Sequence, residues 1–223
     1  DTIRAGQIIG SVVPVASALP CTGAAPSSGF LGMLASPAVA DRYTAAKALS
    51  HLHNPASSAA LSERMMDDRE HIYVRREAAA GLARVGDAAG ATFIQQTLQG
   101  QYLEHRLEAI IILGEIPTDY SCKALTAVLL DQAQHPEIRA GAAWALGELQ
   151  QPLSVVALIQ VFLVLAEPIR IEAARALRKI GAATGADIAA KLPAAQGDQR
   201  AGIAWAVSRS GHVKVDGLLP LLV

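Results

Sequence analysis

An arginine heads the same run of small and aliphatic residues six times along the chain, and this recurrence limits the possible folds more than any other feature. The six are Arg42, Arg75, Arg106, Arg139, Arg170 and Arg200, spaced 33, 31, 33, 31 and 30 residues apart. Val74-Arg75-Arg76-Glu77-Ala78-Ala79, for instance, returns as Ile169-Arg170-Ile171-Glu172-Ala173-Ala174. Counted from each arginine, position +3 reads Ala45, Ala78, Ala109, Ala142, Ala173 and Ile203, and position +7 reads Leu49, Leu82, Leu113, Leu146, Leu177 and Val207. Position +4 is alanine in five copies and Ile110 in the other, while +10 is Leu52, Val85, Ile116, Leu149, Ile180 and Ser210. These positions fall on one side of an α-helix, so each copy holds a helix with a single apolar stripe. A period of this length marks units that cannot hide an apolar side alone and must stack on one another.

Second apolar segments of helical length lie between the arginine helices, over residues 56–66, 91–98, 121–132, 153–166 and 184–192. Pro55, Pro117, Pro136, Pro152 and Pro168 fall at the joints, where a missing amide hydrogen costs least. Gly86, Gly100, Gly181 and Gly211 mark helix ends. No segment sustains the two-residue alternation of a strand. The expectation is therefore an all-α chain folded as an alpha-alpha superhelix, an alpha-solenoid of about six to seven two-helix repeats. Residues 1–37 read as a degenerate N-terminal repeat or cap, since Ile3-Arg4-Ala5-Gly6 echoes Ile138-Arg139-Ala140-Gly141, and residues 38–223 as the array proper. The apolar run at 217–223 resembles the opening of a further first helix. Two apolar ends predict either excision from a longer array or cover by a partner or another domain.

Composition narrows the partners. A chain of 223 residues, 52% hydrophobic with a formal charge of −1, is too apolar and too balanced to be disordered, and has no general pull toward phosphate backbones or anionic lipid. Cys21 and Cys122 stand far apart and outside any metal-binding spacing, which suits a reducing, cytoplasmic setting. The longest apolar stretch, 153–166, falls short of the roughly 20 residues a membrane span needs. Residues 8–19, preceded by Arg4 and broken by Pro14, make a poor signal peptide.

The pattern Asp, a few residues, Val-Arg-x-x-Ala-Ala-x-x-Leu-Gly resembles the HEAT repeat, and especially the shorter HEAT-like repeat of the phycobilin lyases; it extends over nearly all of 38–223. The resemblance implies an armadillo-type fold in which the arginine helix is the second of each pair and lines a concave face. It also implies that the six arginines form a structural ladder of polar contacts between neighbouring repeats, with Asp67, Asp68, Asp131 and Asp198 as acceptors. Ser50, Arg178 and Ser208 at +8, and Gly202 with Ile203, depart from the pattern.

Function in such an array belongs to side chains that the core does not need. On the concave side these are Tyr43, Arg76, Leu107, Ile111, Trp144, Arg175, Arg178, Trp205 and Arg209, with both tryptophans of the chain at the same repeat position, +5. Large rigid rings beside arginines are favoured at binding hot spots. The 153–166 segment, apolar on every side, predicts a second contact on the convex side around Val156, Ile159 and Phe162, through which the chain would pair with itself or a partner. Six histidines offer no convergent set for a metal, no nucleophile or phosphate-loop motif is present, and no cofactor is expected. The reading is a non-catalytic scaffold module that binds another protein or another domain of the same protein. The alternative is a bilin lyase-like subunit or chromophore carrier using Trp144, Trp205 and Arg175. A nucleic-acid-binding role ranks third, because basic residues cluster only between Arg170 and Lys179 with Arg209 beyond.

Overall fold

The computed structural model describes residues 26–163, 166–191 and 194–208. Eleven α-helices and no strand occur among them: α1 Pro26–Met33, α2 Val39–Leu52, α3 Ser58–Met66, α4 Ile72–Arg84, α5 Ala88–Leu98, α6 Leu103–Gly114, α7 Asp119–Leu130, α8 Pro136–Leu149, α9 Val155–Gln160, α10 Glu167–Ala189 and α11 Gly197–Ser208. The six arginines sit near the starts of α2, α4, α6, α8, α10 and α11. Each of the first five of these helices packs on the shorter helix before it, and the pairs stack as an alpha-solenoid. The proposed N-terminal repeat falls mostly at 1–25, and Arg209, Ser210, Gly211 and 217–223 also lie outside the described residues.

Burial follows the repeat. All six residues at +3 are buried, as are Leu49, Leu82, Leu113, Leu146 and Leu177 at +7, and these aliphatic layers run into one another as a continuous core. A buried leucine contributes roughly 2 kcal/mol, so the six-fold stripe is the main stabilising term. At +10 Val85 is half-buried and Leu52 is exposed, as the last residue of α2 before His53 turns the chain in a left-handed conformation (φ 48°). Helix starts are capped by polar side chains: Asp87 accepts from the Ala89 amide, Thr118 from Ser121, and His71 and His135 accept through Nδ1 from the amides of Tyr73 and Glu137.

The arginines do more within a repeat than between repeats. Nε of Arg75 donates to the Met65 carbonyl, Arg106 to Leu98 and Arg139 to Leu129, so each of these three caps the C-terminal end of the helix before its own, while Arg200 donates to Ala195 in the connection between α10 and α11. Arg42 does the same for the turn after α1, through the Ser36 and Pro37 carbonyls. Contacts to the following repeat are made by Arg42 with Glu70 and Arg106 with Gln134, both 28 positions on. Of the four aspartates offered as acceptors, Asp68 pairs with Arg75 at 2.9 Å. Asp131 instead binds Gln134, and the Asp198 side chain lies outside the described residues.

Two segments differ from the sequence reading. Residues 184–192 are not a separate helix, because α10 runs unbroken for 23 residues through Gly181. A lone glycine costs about 1 kcal/mol in a helix, and nothing near it supplies a turn of the Asn54-Pro55 or Pro117-Thr118 kind, so tertiary packing overrides it. The one long helix thus serves as arginine helix of one repeat and first helix of the next. The 153–166 segment, conversely, breaks into two 3₁₀ turns flanking the six residues of α9.

Helix spacing along the stack is set by two positions. The +8 residue of one repeat meets +6 of the next: Ser50 faces Gly81, Gly114 faces Ala145, and Gly147 faces Ala176, where a Cβ on Gly147 would lie 2.8 Å from the Ala176 Cα. Small residues on both sides let the backbones approach closely. At the α4–α6 step, by contrast, +6 is Ile112, buried at 4% exposure, and α4 and α6 barely approach.

Candidate functional site

The groove between α10 and α11 brings together two of the nine expected concave residues, Arg175 and Trp205. It encloses about 420 Å³ and is lined by Phe162, Ala174 and Gly202 at its floor, with Ile171, Trp205, Arg170, Arg175 and Glu167 around it. Ile171 and Arg175 stand at +1 and +5 of α10, one turn apart, and Trp205 at +5 of α11, so the repeat itself places all three on one face. Ile171 is 41% and Trp205 39% exposed. Arg175 is held by Glu172 at 2.5 Å, one helical turn back, and remains more than half exposed. The floor is apolar, the rim basic, and Gly202 is needed because any Cβ there would collide with the Phe162 ring.

The other concave candidates divide. Trp144 is half-buried against the core beside Leu107, so it does not join Trp205 in one open streak. Ile111 and Arg178 are exposed on their helices, Tyr43 is half-buried with its hydroxyl donating to Glu77, and Arg209 lies outside the described residues. Arg76 is a correction: at 1% exposure it is among the most buried side chains, ion-paired to Glu108 and stacked on the Tyr73 ring. The gap that Ile112 holds open draws it inward.

The convex candidates divide in the same way. Val156 is exposed and Ile159 half-buried, beside a smaller cavity lined also by Ala195 and Gln199. Phe162 is corrected to a core residue, 3% exposed, turned into α11 because the 3₁₀ turn after α9 rotates it away from Val156. Among the described residues the segment therefore has a buried apolar side and exposes Leu153, Val156 and Gln160.

A charged row at +9 escaped the sequence reading although its residues spell it out: His51, Arg84, Glu115, Glu148 and Lys179. Arg84 bridges to Glu115 at 2.8 Å, His51 approaches the same carboxylate at 3.8 Å, and Lys179 pairs with Glu148, each contact crossing between repeats. Burial and the Arg84 charge hold the His51 imidazole below its ordinary pKa. Exposed pairs of this kind add little stability singly, but they fix register along the stack.

No group of three or more histidine, cysteine, aspartate or glutamate side chains is placed to hold a metal among the described residues. Cys122 is buried, and burial pushes its thiol above the ordinary range, the reverse of a reactive cysteine. No described helix is long and apolar enough to cross a membrane.

The geometry defines a helical-repeat solenoid with a groove on its arginine-helix face. A family model for HEAT repeats matches residues 90–178, the stretch from α5 into α10. Among solved structures, one engineered protein is 18% identical over 84% of this chain and 97% of its own, with a TM-score of 0.45. Human deoxyhypusine hydroxylase is 18% identical, covering 86% of each chain, with a TM-score of 0.39. The complex of CpcE and CpcF of phycocyanin lyase from Nostoc sp. PCC7120 is 16% identical over 92% of this chain and 96% of that one, with a TM-score of 0.46. No curated protein matches the sequence.

Proposed function

We propose that the protein is a non-catalytic scaffold module that binds a segment of another protein in the α10–α11 groove. The observation that carries this is the groove itself: an exposed tryptophan and isoleucine over an apolar floor, beside an arginine that keeps most of its surface in water. Stacked helices hold these side chains before any partner arrives, which lowers the ordering cost of association. The basic rim favours a partner with a carboxylate next to its apolar anchor. HEAT repeats in general mediate protein interactions, and the reading draws on that as well.

Peptides selected from an unbiased display library against the whole protein test the proposal. Their affinity should fall by about 2 kcal/mol, some thirtyfold, on Trp205→Ala, with far-UV circular dichroism unchanged. Arg175→Glu should weaken the acidic peptides most. Selected peptides that bind Trp205→Ala as well as the parent would place the interaction elsewhere.

A further inference from the structure

The opening between α4 and α6 is a second place where the chain departs from its own repeat, and it does so with an unusual set of side chains. A cavity of about 410 Å³ lies there, lined by Val39, Ala40 and Tyr43 of α2, His71 and Tyr73 at the start of α4, and Glu108 of α6. A volume of this size matches ordinary small-ligand sites, which run from roughly 300 to 1,000 Å³. Against its Tyr73 and Glu108 walls stands the buried Arg76 guanidinium. Nη1 is taken by Glu108, but Nε and Nη2 have no hydrogen-bond partner. A buried donor left unmade is costly, and a guanidinium has two of them side by side here.

The same protein shows what that edge of an arginine is for. Nε and Nη2 of Arg42 grip the two oxygens of Glu70 at 2.7 and 2.9 Å, the two-pronged match that suits a carboxylate. In Arg76 the corresponding edge is vacant. Neighbouring charges do not fill it: Glu77 is engaged by Lys47 at 3.1 Å and by the Tyr43 hydroxyl. One face of Tyr43 and of Tyr73 already carries a cation, Lys47 and Arg76, at 5.9 and 5.5 Å. Burial and the Arg76 charge both depress the His105 imidazole, and burial raises the Glu108 carboxyl despite its arginine partner.

We propose that this cleft is a binding site for a carboxylate on an apolar or aromatic body, gripped by the Nε–Nη2 edge of Arg76 between Tyr43 and Tyr73. It is independent of the α10–α11 groove. Glu108, on the neighbouring Nη1, is the internal carboxylate whose charge opposes that of the ligand. The gap exists because Ile112 occupies a position that elsewhere holds glycine or alanine.

Titrations of the full chain with benzoate, benzamide and benzylamine, followed by ¹H–¹⁵N spectra that include the arginine Nε–H signals, test the site. Benzoate should bind saturably and shift the Arg76 Nε–H, with benzamide and benzylamine at least tenfold weaker. Glu108→Gln removes the opposing charge and should tighten benzoate several-fold, a gain that misfolding cannot mimic. Arg76→Lys keeps the charge but lacks the two-pronged edge, and should weaken benzoate tenfold or more. A peptide carrying Phe-Glu that competes with benzoate, where its Phe-Gln counterpart does not, assigns the carboxylate to a protein side chain; failure of both peptides with benzoate still bound assigns it to a free organic acid. Equal binding of the three probes, preference for benzylamine, an unmoved Arg76 Nε–H, or weaker binding by Glu108→Gln overturns the proposal.

Discussion

Glu70 shows how one side chain ties two repeats together. Its carboxylate is almost wholly buried and takes both prongs of Arg42, the His71 amide at 2.7 Å and a longer approach from Arg64. Burial alone would raise its pKa, but the Arg42 hydrogen bonds, the amide and the Arg64 charge outweigh it, and the carboxyl is held below its ordinary value. A depressed acid contributes stability that is complete above its unfolded value of about 4.3 and is lost as pH falls through the lower folded value. Urea midpoints should therefore hold steady above about pH 5 and drop below about pH 4, and Glu70→Gln should flatten that drop while costing stability at neutral pH. The spacing of the six arginines was legible in the sequence; what they bind was not. Asp67, Asp68, Asp131 and Asp198 drew attention as the nearby acids, whereas most Nε donors go to main-chain carbonyls. Every residue has a carbonyl, so no letter in the sequence marks the one that is exposed at a helix end.

At the scale of the helices, the row of small residues decides how closely neighbours lie. Gly147→Ala should destabilise by about 1–3 kcal/mol, because its new Cβ would press on the Ala176 backbone of α10. Gly29→Ala is the control: nothing lies near that position in α1, so the gain in helix propensity, up to about 1 kcal/mol, should appear as a stabilisation. Equal effects of the two in denaturant titrations would refute the spacing rule. The apolar stripe predicted every arginine helix, since its period needs only local geometry. Fusion of 184–192 into α10 and the breaking of 153–166 into turns depend on what packs beside them, and their residues fit either outcome.

For the whole molecule, stability is a sum over repeats and the joints between them, and the joints are unequal. The α6–α8 and α8–α10 contacts are extensive, with α7 also against α8, while α4 and α6 barely touch. Native-state hydrogen exchange in mild denaturant should show α8 opening last, and α2 to α4 opening at lower denaturant than α6 to α10. A single cooperative opening of both blocks would contradict a weak joint. The order of helices, their apolar faces and the solenoid architecture follow from the sequence by itself, because a repeated stripe that cannot bury itself leaves stacking as the outcome. Only the tertiary structure decided which candidates became surface. Trp205 and Ile171 reached the groove while Trp144, Phe162 and Arg76 were drawn inward, because exposure depends on the spacing between helices, and that spacing is set by residues such as Ile112 in a different repeat.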